Sequence, residues 1–200
     1  MTSAAGPGMT AGHDEVELKV PCPDLPAARQ RLEAAGAALA APRHFESNDL
    51  YDDADKRLFS SGRTIRLRRA RGRAILTFKG KARFQNGIKS REERETEVSD
   101  PIEMEAILSA LGLERRFRYE KHREEWRFEN CTIALDETPI GSYVEVEGDP
   151  PAIRRVLNTM ELEFASALPY SYARLYKQHC EQDPSLPADM VFPAGKESAS

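Results

Sequence analysis

From Glu15 to Glu147 this chain repeatedly places charged side chains at every second position, with apolar residues between them. Glu15, Glu17 and Lys19 alternate with Val16, Leu18 and Val20, and Arg66 and Arg68 alternate with Ile65 and Leu67. The same period recurs at Thr77 and Lys79, at Glu93 and Glu95, at Lys121 and Arg123, and at Glu145 and Glu147. Asp136 lies on a further extended segment. A period of two puts each charged set on one face of a β-strand and each apolar set on the other. Any one fragment alone fits a strand whose polar face is merely wet. Together they predict a single sheet closed on itself, with charges lining the inside and apolar faces outside under helices. That inverts the usual small barrel, whose inside is packed.

Turn and cap signals supply the rest of the architecture. Asp24 and Pro26 open a helix carrying Ala28, Leu32 and Ala35 on one stripe, and Gly36 stops it. Pro101 opens a second helix that stops at Gly112, Pro150 and Pro151 a third running through Leu162, and residues 171–179 a fourth. Extended segments are expected over 13–20, 44–52, 63–69, 74–79, 89–98, 117–128, 131–136 and 143–147, with Gly72 at a hairpin turn and 80–87 as a basic loop. The fold class is therefore α+β, an eight-stranded antiparallel closed β tunnel with flanking helices. Residues 1–12 are expected to be a disordered leader, 13–180 the single domain, and 181–200 a Pro-containing tail.

The formal net charge of −4 conceals an asymmetry. Lys and Arg dominate from Lys56 to Arg94, opposed only by Glu92 and Glu93, which points to an anionic partner. No run approaches the ~20 apolar residues of a helical membrane span. The first thirteen residues have neither the basic nor the apolar part of a secretory signal. Cys22, Cys131 and Cys180 are too few and too scattered for a disulfide framework or a zinc site, and a cytoplasmic protein is expected. A nucleic-acid-binding barrel would carry its basic residues outside beside exposed aromatics. Here Phe78, Trp126 and Phe128 alternate with charges and are expected under helices, so no specific nucleic acid is expected.

A cavity lined by carboxylates and cations together suits one ligand class well. Carboxylates hold Mg²⁺ or Mn²⁺, which prefer hard oxygen ligands. Arg and Lys bind the oxygens of a polyanion, Arg through its planar fork. A triphosphate with a divalent metal uses both.

The order of these motifs resembles the CYTH superfamily of triphosphate tunnel metalloenzymes, over roughly residues 13 to 180. That family includes class IV adenylyl cyclases, thiamine triphosphatases, inorganic tripolyphosphatases and RNA triphosphatases. Glu15-x-Glu17-x-Lys19 resembles its opening strand. "NDLYDDAD", "TIRLRR", "LTFKGK", "SREERE", "EKHR", "IALDETPIGSYVEVEG" and "SYARLY" follow in family order. The resemblance implies Glu15, Glu17, Asp136, Glu145 and Glu147 as carboxylates around Mg²⁺ or Mn²⁺. It implies Lys19, Arg66, Arg68, Lys79, Lys121 and Arg123 as phosphate ligands. Glu93 and Glu95 complete the wall, near a second metal or orienting the nucleophile, with Glu97 on the same face.

Catalytic roles then fall to Glu15, Glu17, Lys19, Glu93 and Glu95. Neither a Ser-His-Asp or Cys-His set nor a GxxxxGK[ST] loop is present, which argues against a covalent intermediate and P-loop chemistry. Two reactions fit. Water attacking the terminal phosphorus makes a triphosphatase acting on tripolyphosphate, a nucleoside triphosphate such as ATP, or thiamine triphosphate. A ribose hydroxyl attacking the α-phosphorus of ATP makes cyclic AMP and pyrophosphate. Hydrolysis asks less of the site and is the favoured expectation. A non-catalytic polyphosphate- or nucleotide-binding module is the rival. His44 and His122 are expected at the surface or behind the site, and a homodimer stays open.

Overall fold

A computed structural model describes residues 13–85 and 88–193, so the leader expected over 1–12 and the end of the tail lie outside the described residues. The strands are β1 (His13–Pro21), β2 (Ala38–Asp52), β3 (Thr64–Ala70), β4 (Arg73–Lys79), β5 (Arg83–Gln85), β6 (Ile88–Val98), β7 (Glu114–Phe128), β8 (Cys131–Thr138) and β9 (Gly141–Glu147). The helices are α1 (Leu25–Ala34), α2 (Arg57–Ser60), α3 (Pro101–Ala110), α4 (Pro150–Thr159) and α5 (Tyr172–Gln182). In space the strands run β1-β9-β8-β7-β2-β3-β4-β6, and β6 pairs back onto β1, all antiparallel. Eight strands therefore close a barrel. The short β5 continues the line of β4 along β6 after the break at Gly80, whose N–H still bonds Glu92.

Helix starts follow the local chemistry. Asp24, Asp100 and Asp149 each accept a first-turn backbone N–H, beside a proline at the first or second helical position, and Ser171 caps α5. The apolar faces of the strands point outward, as the alternation requires. Against β1, β8 and β9, helices α1 and α4 bury Ala28, Leu32, Ile153, Val156 and Leu157 on Leu18, Val20, Ile133, Val144 and Val146. Leu108 of α3 covers Leu67 and Ala74 from outside, whereas the start of α5 packs Tyr172 onto the inward-facing Tyr119 and Tyr143 at one end of the barrel. Trp126 is buried in the first of these layers, under helices as expected.

Beyond small end shifts, such as β7 beginning at Glu114 and α4 ending at Thr159, three features differ from expectation. β2 begins at Ala38 rather than His44, through register shifts around Ala41 that accommodate Pro42. The basic loop contains β5, and a one-turn α2 stands between β2 and β3, where its N–H groups at Leu58 and Phe59 bond the buried Asp52 carboxylate. The expected tail does not leave the domain at 181. α5 runs to Gln182, and the chain returns so that Met190 is fully buried and bridges the free edge of β7 at Tyr119.

One close approach sets a packing limit. A Cβ on Gly148 would sit 2.5 Å from the Cys131 sulfur, in a core without slack. Gly148→Ala is expected to cost about 1–3 kcal/mol. A urea midpoint unchanged from wild type would count against this packing.

Candidate active site

The register carries every alternating charged set to the inside. Glu17 pairs with both Glu147 and Lys89, Lys19 with Glu145, Glu15 with Arg91, Lys79 with Glu93, Thr77 with Glu95, and Arg123 with Asp136. Directly paired residues share a face, so the ring is continuous around the barrel. These side chains line a cavity of about 840 Å³ together with Arg66, Arg68, Lys121 and Tyr172, apart from Thr77 and Asp136, which are fully buried behind it. Of the residues expected at the site, all thirteen stand on this inner face.

Most charges hold one another in place. Both Asp136 oxygens are taken: Arg123 donates to them at 2.7 and 2.6 Å, Lys121 at 3.0 Å, and the Tyr172 hydroxyl at 2.7 Å. Arg123 also reaches Glu145, which accepts from Lys19 at 2.9 Å. Lys19 donates to the Tyr170 carbonyl and lies 3.8 Å above the Tyr172 ring, so the start of α5 is tied to the inner wall. On the other side Arg66 and Thr77 converge on Glu95, and Lys79 joins Glu93 and Glu15. Lys89 joins Glu17, and Arg91 bonds Glu93 at 3.1 Å. Glu97 lies at the rim with Arg73.

Protonation follows these contacts. Burial, the Glu93 carboxyl and the Glu17 charge push Glu15 up to about 8. Burial and the charges of Glu17 and Glu93 also raise Glu147, which makes no ion pair among the described residues. Burial would raise Glu17 as well, but Lys89 and Arg91 outweigh it and hold Glu17 down at about 2. Glu145 is held well below the carboxylate range because Lys19, Lys121 and Arg123 overcome its burial. Burial and the neighbouring Arg66 and Arg91 charges lower Lys79. Negative charge is thus over-supplied around Glu15 and Glu147 and matched elsewhere.

Several inner-face residues escape notice in the sequence. Glu46 is buried between Lys121, His44 and Arg68, at 3.5–3.8 Å from each. Tyr119 meets Arg66 through its phenol; Arg66, Lys121 and Lys79 outweigh burial and lower its pKa. Lys89 and Arg91 belong to the same stripe as Glu93, and their period was the available signal. His44 stands behind the site with Glu46, whereas His122 packs outside against Phe45 and Phe192. The cysteines are free thiols. Among the described residues no three His, Cys, Asp or Glu side chains converge as a ready-made metal cage, and no helix is long and apolar enough to cross a membrane.

The CYTH domain profile matches residues 13–177. Among solved structures, a proposed adenylate cyclase from Vibrio parahaemolyticus is 20% identical, with a TM-score of 0.71 over 84% of this chain and 99% of that one. A Pyrococcus horikoshii protein is 24% identical, with a TM-score of 0.66 over 82% of this chain and 99% of that one. A Hippeastrum protein described as a proposed adenylyl cyclase that reveals a dominant triphosphatase activity is 19% identical, with a TM-score of 0.62 over 82% of this chain and 96% of that one. At these identities the likeness is one of fold. No curated protein matches the chain.

Proposed function

Since this chain belongs to the CYTH family, we propose that it is a divalent-metal-dependent triphosphatase that takes a triphosphate into the barrel and hydrolyses a phosphoanhydride bond. The observation that carries this reading is the closed barrel whose cavity is lined by both cations and carboxylates contributed from strands all around the wall. Phosphoryl transfer needs positioning and charge neutralisation more than covalent chemistry. Arg66, Arg68, Lys79, Lys121, Arg123 and Lys19 are the cations for the phosphate oxygens. Each is already aimed by a carboxylate, so little reorganisation accompanies binding.

The donor chemistry at Glu15, Glu17 and Glu147 fits Mg²⁺ or Mn²⁺: three hard carboxylates on two adjacent strands, with Glu15 and Glu147 raised by burial and by the neighbouring Glu17 and Glu93 charges, a build-up of negative charge that a divalent cation relieves. Bound there, the metal supplies charge neutralisation and an acidified water. Asp136, with both oxygens committed to Arg123, Lys121 and Tyr172, serves in our reading to orient those cations in place of the metal contact the resemblance implied. Glu145 does the same for Lys19. Glu93 and Glu95 aim Lys79 and Arg66.

Incubation with Mg²⁺ or Mn²⁺ and either ATP or tripolyphosphate, with products resolved by chromatography, tests the reading. Phosphate or pyrophosphate release without cyclic AMP is the expected outcome. Cyclic AMP at a comparable rate makes the protein a cyclase, and tight binding without turnover under either metal makes it a binding module.

A further inference from the structure

Three exposed aromatic side chains gather at one end of the barrel, where β1 and β4 finish and β3 and β6 begin. Phe59 of α2 is 61% exposed and lines the cavity. Phe84 of β5 is 55% exposed and pairs directly with Lys89, whose side chain reaches inward to Glu17, so Phe84 stands on the pore-facing side of the rim. Tyr170 is 40% exposed and immediately precedes Ser171, which also lines the cavity. No tight core explains these exposures, yet the segments are held. Asp52 anchors the backbone of Phe59 at 2.8 Å, and the turn at Gly62 abuts Lys81, joining the α2 and β5 sides of the rim. The Tyr170 carbonyl is bonded by Lys19.

We propose that this rim is the subsite for the organic half of the substrate, and that it takes the neutral heteroaromatic base of a nucleoside triphosphate. The proposal rests on the triphosphate reading of the cavity and narrows it. Sequence-tolerant stacking on aromatic faces suits a planar base, because every base has a π-face. Inorganic tripolyphosphate has nothing to place there. The same rim carries exposed Lys56, Arg63 and Lys81, which disfavour a cationic ring such as that of thiamine.

Calorimetric titration of the full chain with ATP, tripolyphosphate and thiamine triphosphate, in a Mg²⁺ buffer and over a time short against turnover, tests the subsite. ATP is expected to bind more tightly than either of the others. The double variant Phe59→Ala/Phe84→Ala is expected to weaken ATP about tenfold, while tripolyphosphate stays within about twofold. Equal weakening of both ligands, or no weakening of ATP, overturns the proposal, as does tighter binding of thiamine triphosphate. The two readings fail separately. A wild-type protein that binds ATP in this Phe-dependent way but cleaves no triphosphate sinks the hydrolase and leaves the subsite standing. Turnover that ignores Phe59 and Phe84 does the reverse. Circular dichroism of the double variant, with the single variants as a second set, separates a folding defect from a lost contact.

Discussion

Asp136→Ala is expected to destabilise the fold by about 3–5 kcal/mol, the largest stability effect of any single change inside the barrel. The wild-type carboxylate is fully buried and holds Arg123, Lys121 and the Tyr172 hydroxyl at once. Alanine leaves two buried cations facing each other with only Glu46 and Glu145 to share. It also cuts the link between β8 and the first turn of α5. Asp136→Asn keeps the shape and one acceptor, so a smaller loss is expected. Urea denaturation of both variants measures the difference. A cost below about 1 kcal/mol for the alanine variant would mean that water replaces the carboxylate, contrary to the buried geometry.

Glu15→Gln is expected to reduce metal-dependent turnover by about 10²-fold or more while making the metal-free protein more stable at pH 8. The sign follows from linkage. The folded-state pKa is raised from 4.5 to about 8, so the fold binds this proton more tightly than the unfolded chain does. The associated stability is fully present below pH 4.5 and is lost as pH rises towards and through about 8. Glutamine carries no such proton and removes that slope. The opposite slope from Glu17, whose pKa is lowered to about 2, is confined to the range below 4.5 and does not overlap. Thermal melts in chelator at pH 5 and pH 8 check the stability limb, and initial rates with Mn²⁺ check the other. Retention of wild-type turnover by Glu15→Gln would remove Glu15 from the metal set.

The closed barrel and the inward charges were legible because the inverted alternation is self-consistent: every strand that hides its apolar face under a helix must turn its charges to the pore. Glu46 was not, since β2 breaks that rule. Its outward Asp49 is itself buried, paired with Arg118 and Arg69 outside the barrel, so charge no longer marks the inner face. Likewise the Ala-rich start of β2 has no alternation to read, and its bulges shift the register around Pro42. The return of 183–193 was hidden by its prolines, because its burial depends on the spare edge of β7 beyond the last β8 pairing, a property of the assembled sheet. Asp136 and Glu145 were placed correctly on the inner face. Their commitment to Arg123, Lys121 and Lys19 depends on distances between strands far apart in the chain.

Hydrogen bonding of β6 back to β1 makes the wall a hoop of fixed circumference. A two-layer sandwich can gape by sliding its sheets, whereas this enclosure widens only by snapping a ladder. Accommodation of bulkier cargo must therefore come from the lips, α2, β5 and the approach to α5, and mutations that broaden selectivity should accumulate there while the staves stay unchanged.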